Sequence, residues 1–266
     1  VPNGSPVNLM VTNCDDSGAG SLRDAVANAV NGDTVDLSDL TCSTITLTTG
    51  SILVTQDNLT IQGPGADSLT IDANEQSTVI DFSGLGTLTI NDATLTNGYY
   101  FDYAGGAVWG YQGNIALNNS VVSNSRVETY EEVAIGAALV TAGNISLTNS
   151  VVTNTSAYSE MGGAGGAVAS KYGTVTMVDS IVTSNSVTGY DLAVGGGVYS
   201  YFAPSITGST LSGNDVDAFK YGGFGGGFYT ADDTSSTIIV SSTISGNSAT
   251  AGGGVTVEGL EMTNAT

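Results

Sequence analysis

One order of residue types returns down this chain at a nearly constant interval, and no other feature limits its fold as strongly. Leu95, Val122, Val152, Val182, Leu211 and Ile244 hold equivalent places, separated by 27, 30, 30, 29 and 33 residues. Two or three positions after each comes an asparagine: Asn97, Asn124, Asn154, Asn185, Asn214 and Asn247. A variable segment follows, then a glycine cluster such as Gly165-Gly166 or Gly195-Gly196. An apolar residue closes each cluster: Val108, Leu139, Val168, Val198, Phe228 and Val255. A fixed order at a fixed period means one structural unit used many times.

The unit is made of strands. Runs such as "TITLTTG", "NLTIQG", "TLTIND", "NISLTN" and "TVTMVD" are short, β-branched and alternating, and they are broken by Asn, Gly and Ser rather than continued at a helical period. A propeller blade of four antiparallel strands needs about 40 residues. A coil of three short parallel strands needs fewer, and stacking such coils explains why each residue type falls in register. The expected fold is all-β: a right-handed parallel β-helix with coils of 27–33 residues over 45–266, its last coil incomplete. In it the Val/Leu/Ile positions stack inward, the asparagines sit at a corner, and the glycines permit positive φ and close coil-to-coil approach.

One end carries a cover. "GSLRDAVANAVNGDT" (20–34) predicts an amphipathic helix with Ser21 as N-cap, an apolar face of Leu22, Val26, Ala29 and Val30, and a stop at Asn31-Gly32. Cys14 and Cys42 flank it and are the only cysteines, so they are expected to form one disulfide clamping a cap over 1–44. Their spacing matches no zinc site, and there is no histidine to complete one.

Twenty-five acids against four bases give a net charge of −21. Such a surface repels phosphate backbones and excludes nucleic acid as a partner. No apolar run is long enough to span a membrane, and residues 1–20 lack the features of a signal peptide. Together with the cysteine pair, this predicts a secreted or cell-surface protein whose signal peptide has been removed. No resident cofactor is expected. Calcium is compatible with the acidic surface, yet the glycine clusters lack the following aspartate of the calcium-binding nonapeptide, so no metal ligands are assigned.

The stretch "VTNCDDSGAGSLRDAVANAVNGDTVDLSDLTCSTITLTTGSILVTQDNLTIQGPGADSLTIDA" (11–73) resembles the N-terminus of secreted bacterial right-handed parallel β-helix repeat proteins, which carry a GSLR-type cap. The later repeats are similar to those of polymorphic outer-membrane autotransporters. The resemblance implies a secreted or surface location and a solenoid fold, and no particular activity.

Function is expected in the variable segments, which should leave each coil at the same corner and stack into one wall. They hold Tyr99, Tyr100, Tyr103, Tyr130, Tyr158, Tyr190 and Tyr221 among carboxylates that include Glu131, Glu132, Glu160 and Asp191. Tyrosine brings large contact area at low entropic cost. The sequence therefore favours a non-enzymatic structural or adhesive protein whose Tyr/acid strip meets a polysaccharide or surface glycan, or other protomers in a filament. The alternative is a calcium-dependent polysaccharide lyase or hydrolase acting along that strip. Against it, Arg126, Lys171 and Lys220 lie in different coils with no lyase motif around them. Ice binding is disfavoured because Thr and Ser positions vary from coil to coil.

Overall fold

The computed structural model describes residues 5–101, 105–130, 133–160, 162–232 and 236–266. The chain is a parallel β-solenoid of about eight turns with one helix. The coil beginning at Asn114 is representative. Its strands are Asn114–Asn118 in sheet A, Val121–Ser123 in sheet B, Arg126–Thr129 in sheet D, Ala134–Ile135 in sheet E and Leu139–Thr141 in sheet C, before the chain rejoins sheet A at Ile145–Thr148.

Sheets A, B and C, of ten, eight and eight strands, enclose one apolar core running from Val11 and Leu22 to Ile239. The repeat seen in the sequence is its skeleton. Leu95, Val122, Val152, Val182, Leu211 and Ile244 pair in one register on sheet B, and Val108, Leu139, Val168, Val198, Phe228 and Val255 do so on sheet C. All but Ile244 and Val255 are fully buried. Each such side chain removes apolar surface from water at about 25 cal/mol per Å².

The asparagines resolve into two adjacent columns rather than one. Asn97, Asn124 and Asn154 adopt left-handed backbone (φ 51° to 54°), a place taken in later coils by Ser184, Gly213 and Gly246. Asn185 and Asn214 stand one position on and are buried. There they form a ladder. Asn185 Nδ2 donates to Asn214 Oδ1 (2.9 Å), Asn214 Nδ2 donates to Asn247 Oδ1 (3.0 Å), and each amide also donates to a sheet B carbonyl, Val152 or Val182. A second ladder lies at the turn from sheet A to sheet B. The backbone N–H of Ser120, Ser150, Ser180 and Ser209 each donates to the hydroxyl of the serine in the next coil, at 3.1–3.2 Å. Buried polar groups are thus satisfied along the axis, as burial requires.

The variable segments are not loops. From Tyr99 onward they build two more parallel sheets, D (five strands) and E (four), which project from the turn between sheets B and C as a fin. Strand D runs out and strand E returns. Between them lies a separate small core of Val127, Ala134, Ala157, Val187, Ala193 and Val216. Small side chains are needed because the two layers almost touch. A β-carbon on Gly223 would lie 2.6 Å from Val216 Cγ1.

At the other end the cap is held by polar bonds as well as by packing. The helix spans Leu22–Asn28, shorter than the 20–34 segment predicts, with Ser21 as N-cap accepting from the Asp24 N–H. Ala29 turns to extended backbone, and Gln56 Nε2 donates to the Val26 and Ala29 carbonyls, ending the helix. Its buried face is therefore Leu22, Ala25 and Val26, with Ala29 packed beside it, while Val30 is exposed, contrary to the amphipathic pattern. Arg23 ties the helix to the first coil by donating to Asp16 Oδ1 (2.7 Å), Ser51 O and Gly50 O. Cys14 and Cys42 are joined as a disulfide, closing a loop with a sequence separation of 28.

Two predictions follow from these contacts. Burial alone would raise the Asp16 carboxyl, but hydrogen bonds from Arg23, Thr49 and Thr48 outweigh it and hold the group well below the usual carboxylate range. That stabilisation is present above the unfolded value of about 3.9 and is lost as pH falls through the lower folded value. Asp16→Asn should therefore lower stability by about 1–2 kcal/mol at neutral pH, a gap that narrows in strong acid, as read by urea unfolding. The two asparagine columns should also separate on mutation. Asn214→Ala, which strands buried donors and acceptors, should cost about 2–4 kcal/mol, whereas Asn154→Gly, at a left-handed position, should change unfolding by less than about 0.5 kcal/mol.

Candidate functional site

The fin leans over the outer face of sheet C, where Ile135 packs on Val140 and Ala169, and a run of clefts lies along that face. Alternation along sheet C turns one residue per coil outward: Leu53, Asp81, Trp109, Val140, Ala169, Tyr199, Tyr229 and Thr256, in register. Ile135, from sheet E, packs with Val140 and Ala169, with Trp109 and Tyr199 against the same cluster. The opposite wall comes from the turn after sheet C: Tyr111, Lys171, Tyr172 and Tyr201.

The result is a row of clefts that share their lining. The first, about 290 Å³, holds Asp81, Tyr99, Tyr100, Phe101 and Trp109. Trp109 passes into a cleft of about 380 Å³ with Tyr111, Val140, Lys171 and Tyr172. Lys171 and Tyr172 lead to one with Ile135, Tyr199 and Tyr201, and Tyr201 to a last of about 410 Å³ with Tyr229, Asp232 and Glu258. With adjacent strands roughly 4.8 Å apart, this groove follows the rod for about 30 Å.

Its rings are ordered. Tyr199 and Tyr229 stack at 6.1 Å and 9°, Tyr172 meets Tyr201 at 6.0 Å, Tyr201 meets Phe202 at 5.1 Å, and Tyr100 meets Trp109 at 5.5 Å. Burial, and then the neighbouring Tyr229, Tyr201 and Tyr172, push the Tyr199 phenol above its ordinary value. Burial likewise raises the Asp81 carboxyl at the groove's first cleft.

The residues singled out from sequence are spread over the fin instead of forming one aromatic strip. Tyr100 turns inward against the fin core and lines the groove with Tyr99. Arg126 lies over the Tyr99 ring at 4.6 Å, and the Tyr99 hydroxyl donates to Glu128 (3.4 Å). Burial, followed by Glu128, raises that phenol too. Tyr130 packs edge-on against Phe101 at 5.5 Å. Tyr158, Glu160 and Tyr190 gather with Phe219 at the fin tip. Asp191 pairs with Lys220 at 3.1 Å, and the Lys220 ammonium sits 4.7 Å from the Tyr221 ring centroid. Tyr103, Glu131 and Glu132 lie outside the described residues.

Trp109, Tyr111, Tyr172, Tyr199, Tyr201 and Tyr229 were missed by the sequence reasoning, although a signal was present. Each of Val108, Val198 and Phe228 faces inward, so the next residue must face outward. The hydroxyl rows are also more regular than the sequence predicts. Thr46, Asp72, Thr96, Ser123, Thr153, Thr183, Ser212 and Ser245 share one register on sheet B. Some of these hydroxyls are already engaged along the stack, as when Thr183 Oγ1 donates to Ser212 O (2.8 Å). Among the described residues, no group of three or more acids converges as a metal site would, and no helix is long and apolar enough to cross a membrane.

Comparison with protein-family models, with curated proteins and with solved structures yields no match. The site's chemistry therefore rests on its own geometry. It offers a long, open, ring-lined groove, with Lys171 as the charged residue lining its two middle clefts, suited to laying a polymer along the rod.

The raised phenol is checkable directly. In a spectrophotometric titration, the difference between the protein and its Tyr199→Phe variant should appear only above the ordinary tyrosine value of about 10, because burial favours the neutral form.

Proposed function

We propose that this protein is a non-catalytic, secreted or cell-surface rod that holds an extended, uncharged polysaccharide along the groove beside sheet C. The observation that carries this reading is continuity. Successive clefts share Trp109, then Lys171 and Tyr172, then Tyr201, so one ligand can touch every coil without leaving aromatic surface. An aromatic face, negative at its centre, suits the C–H face of a pyranose ring, and the tyrosine hydroxyls supply hydrogen bonds at the edges. The advance per coil is close to that of one sugar in an extended β-linked chain. The strongly acidic protein repels polyuronates, which favours a neutral polymer.

Binding is favoured over hydrolysis along most of the groove by the placing of the acids, because the two that share a cleft, Asp232 and Glu258, lie at its last end. Glycoside cleavage needs two carboxyl groups roughly 5–10 Å apart. Asp81 lies in the first cleft, whereas Asp232 and Glu258 line the last. Asp81 and Tyr229 are five strands apart in sheet C, which puts roughly 24 Å between the two ends. The disulfide is in keeping with an oxidising, extracellular setting.

Affinity electrophoresis in gels cast with soluble neutral β-glucans tests the proposal. Trp109→Ala and Tyr199→Ala should each weaken retardation by about tenfold, while Tyr190→Ala at the fin tip should leave it unchanged. Unaltered retardation in both groove variants, or none by the parent protein across such polymers, would overturn it.

A further inference from the structure

At the fin tip, away from the groove, Tyr158, Glu160, Tyr190 and Phe219 line a separate open cavity of about 310 Å³. Its construction follows from the parallel stacking. The N–H groups of Glu160, Tyr190 and Phe219 bond to the Thr129, Ser159 and Gly189 carbonyls of the preceding coils, so these three side chains stand one above another. Tyr158 projects beside them from the outward face of strand Ser156–Ser159. Two tyrosines and a phenylalanine thus surround a space into which one carboxylate also opens.

Such large rings are costly to leave in water unless something uses them. Tyr190 is 55% exposed and Phe219 72%. The electrostatics around them point one way. Aromatic faces attract cations through their quadrupole, Glu160 adds a negative charge, and Glu128 and Asp217 share the Tyr158 register. The neighbouring base is already occupied, because Lys220 is held by Asp191 at 3.1 Å and rests over Tyr221.

We propose that this cavity is an aromatic cage for a quaternary ammonium group, of the kind choline carries, with Tyr158, Tyr190 and Phe219 as walls and Glu160 as counter-ion. A quaternary ammonium fits better than a simple ammonium. It is weakly hydrated, needs no hydrogen-bond acceptors from the site, and presents methyl groups to three rings. An anion next to the ammonium would meet Glu160, so choline should be preferred to phosphocholine. The cage shares no residue with the polysaccharide groove, and either site can fail without the other.

The test is a titration of the whole protein with choline, followed by the choline methyl resonance, which ring currents in the cage shift upfield. Saturable binding is expected, weakened by about fivefold in Tyr190→Ala and in the isosteric Glu160→Gln. The neutral isostere 3,3-dimethylbutanol should bind at least about fivefold more weakly, since it keeps the shape and loses the charge. Thermal unfolding of both variants should match the parent, because these side chains lie at the exposed tip. Equal binding of the neutral isostere, binding of phosphocholine as tight as that of choline, or choline affinity unchanged in Glu160→Gln would each overturn the proposal.

Discussion

Everything in this molecule depends on in-register pairing of parallel strands from coil to coil. Each residue has as its neighbours the equivalent residues above and below, so a side chain is tolerated only if it can stand on a copy of itself or on something of like shape. Valine and leucine satisfy that by packing, and the interior of sheets A, B and C is built from them. A buried polar residue satisfies it only by bonding along the axis, which Asn185, Asn214 and the serines from Ser120 to Ser242 do. Isolated, each of these groups would cost free energy; in series each supplies its neighbour's partner.

The fin is the one departure from a plain three-sided coil, and it creates both candidate surfaces. Its alanine- and valine-lined interior is thin, and this brings strand E down onto Val140 and Ala169. Those two small residues sit between Trp109 and Tyr199 in the same outward column, so the floor dips where the flanking rings rise. At its outer edge the fin instead exposes rings with nothing packed above them. One insertion therefore makes a groove on one side and a cage at its tip.

How legible this was in the sequence varied with the strength of the constraint on each column. The apolar columns are plain, because burial admits few residue types and Leu95 through Leu211 all obey it. The asparagines were read as one corner because a left-handed residue and a buried amide donor are both well served by asparagine, and the coils exchange the two roles. Asn154 fills the first role, and Asn185 the second beside Ser184. The helix N-cap at Ser21 was visible, but its end was not, since Gln56, far along the chain, sets it. Segments such as "RVET" and "DVDA" alternate too briefly to declare strands, and only pairing with their copies makes them so. The groove's aromatics are less legible, because Trp109, Tyr199 and Tyr229 belong to the regular coil and not to the variable segments that hold most of the tyrosines.

The asparagine and serine ladders also have a common direction. Asn185 and Asn214 donate one amide hydrogen toward the later coil, as the serine N–H groups do, and another back to a carbonyl of the earlier coil. The bonds from side chain to side chain thus share one sense along the axis, while the amide bonds to sheet B carbonyls run the other way. The two ends of the rod are therefore distinguished by the sense of these ladders as well as by strand direction.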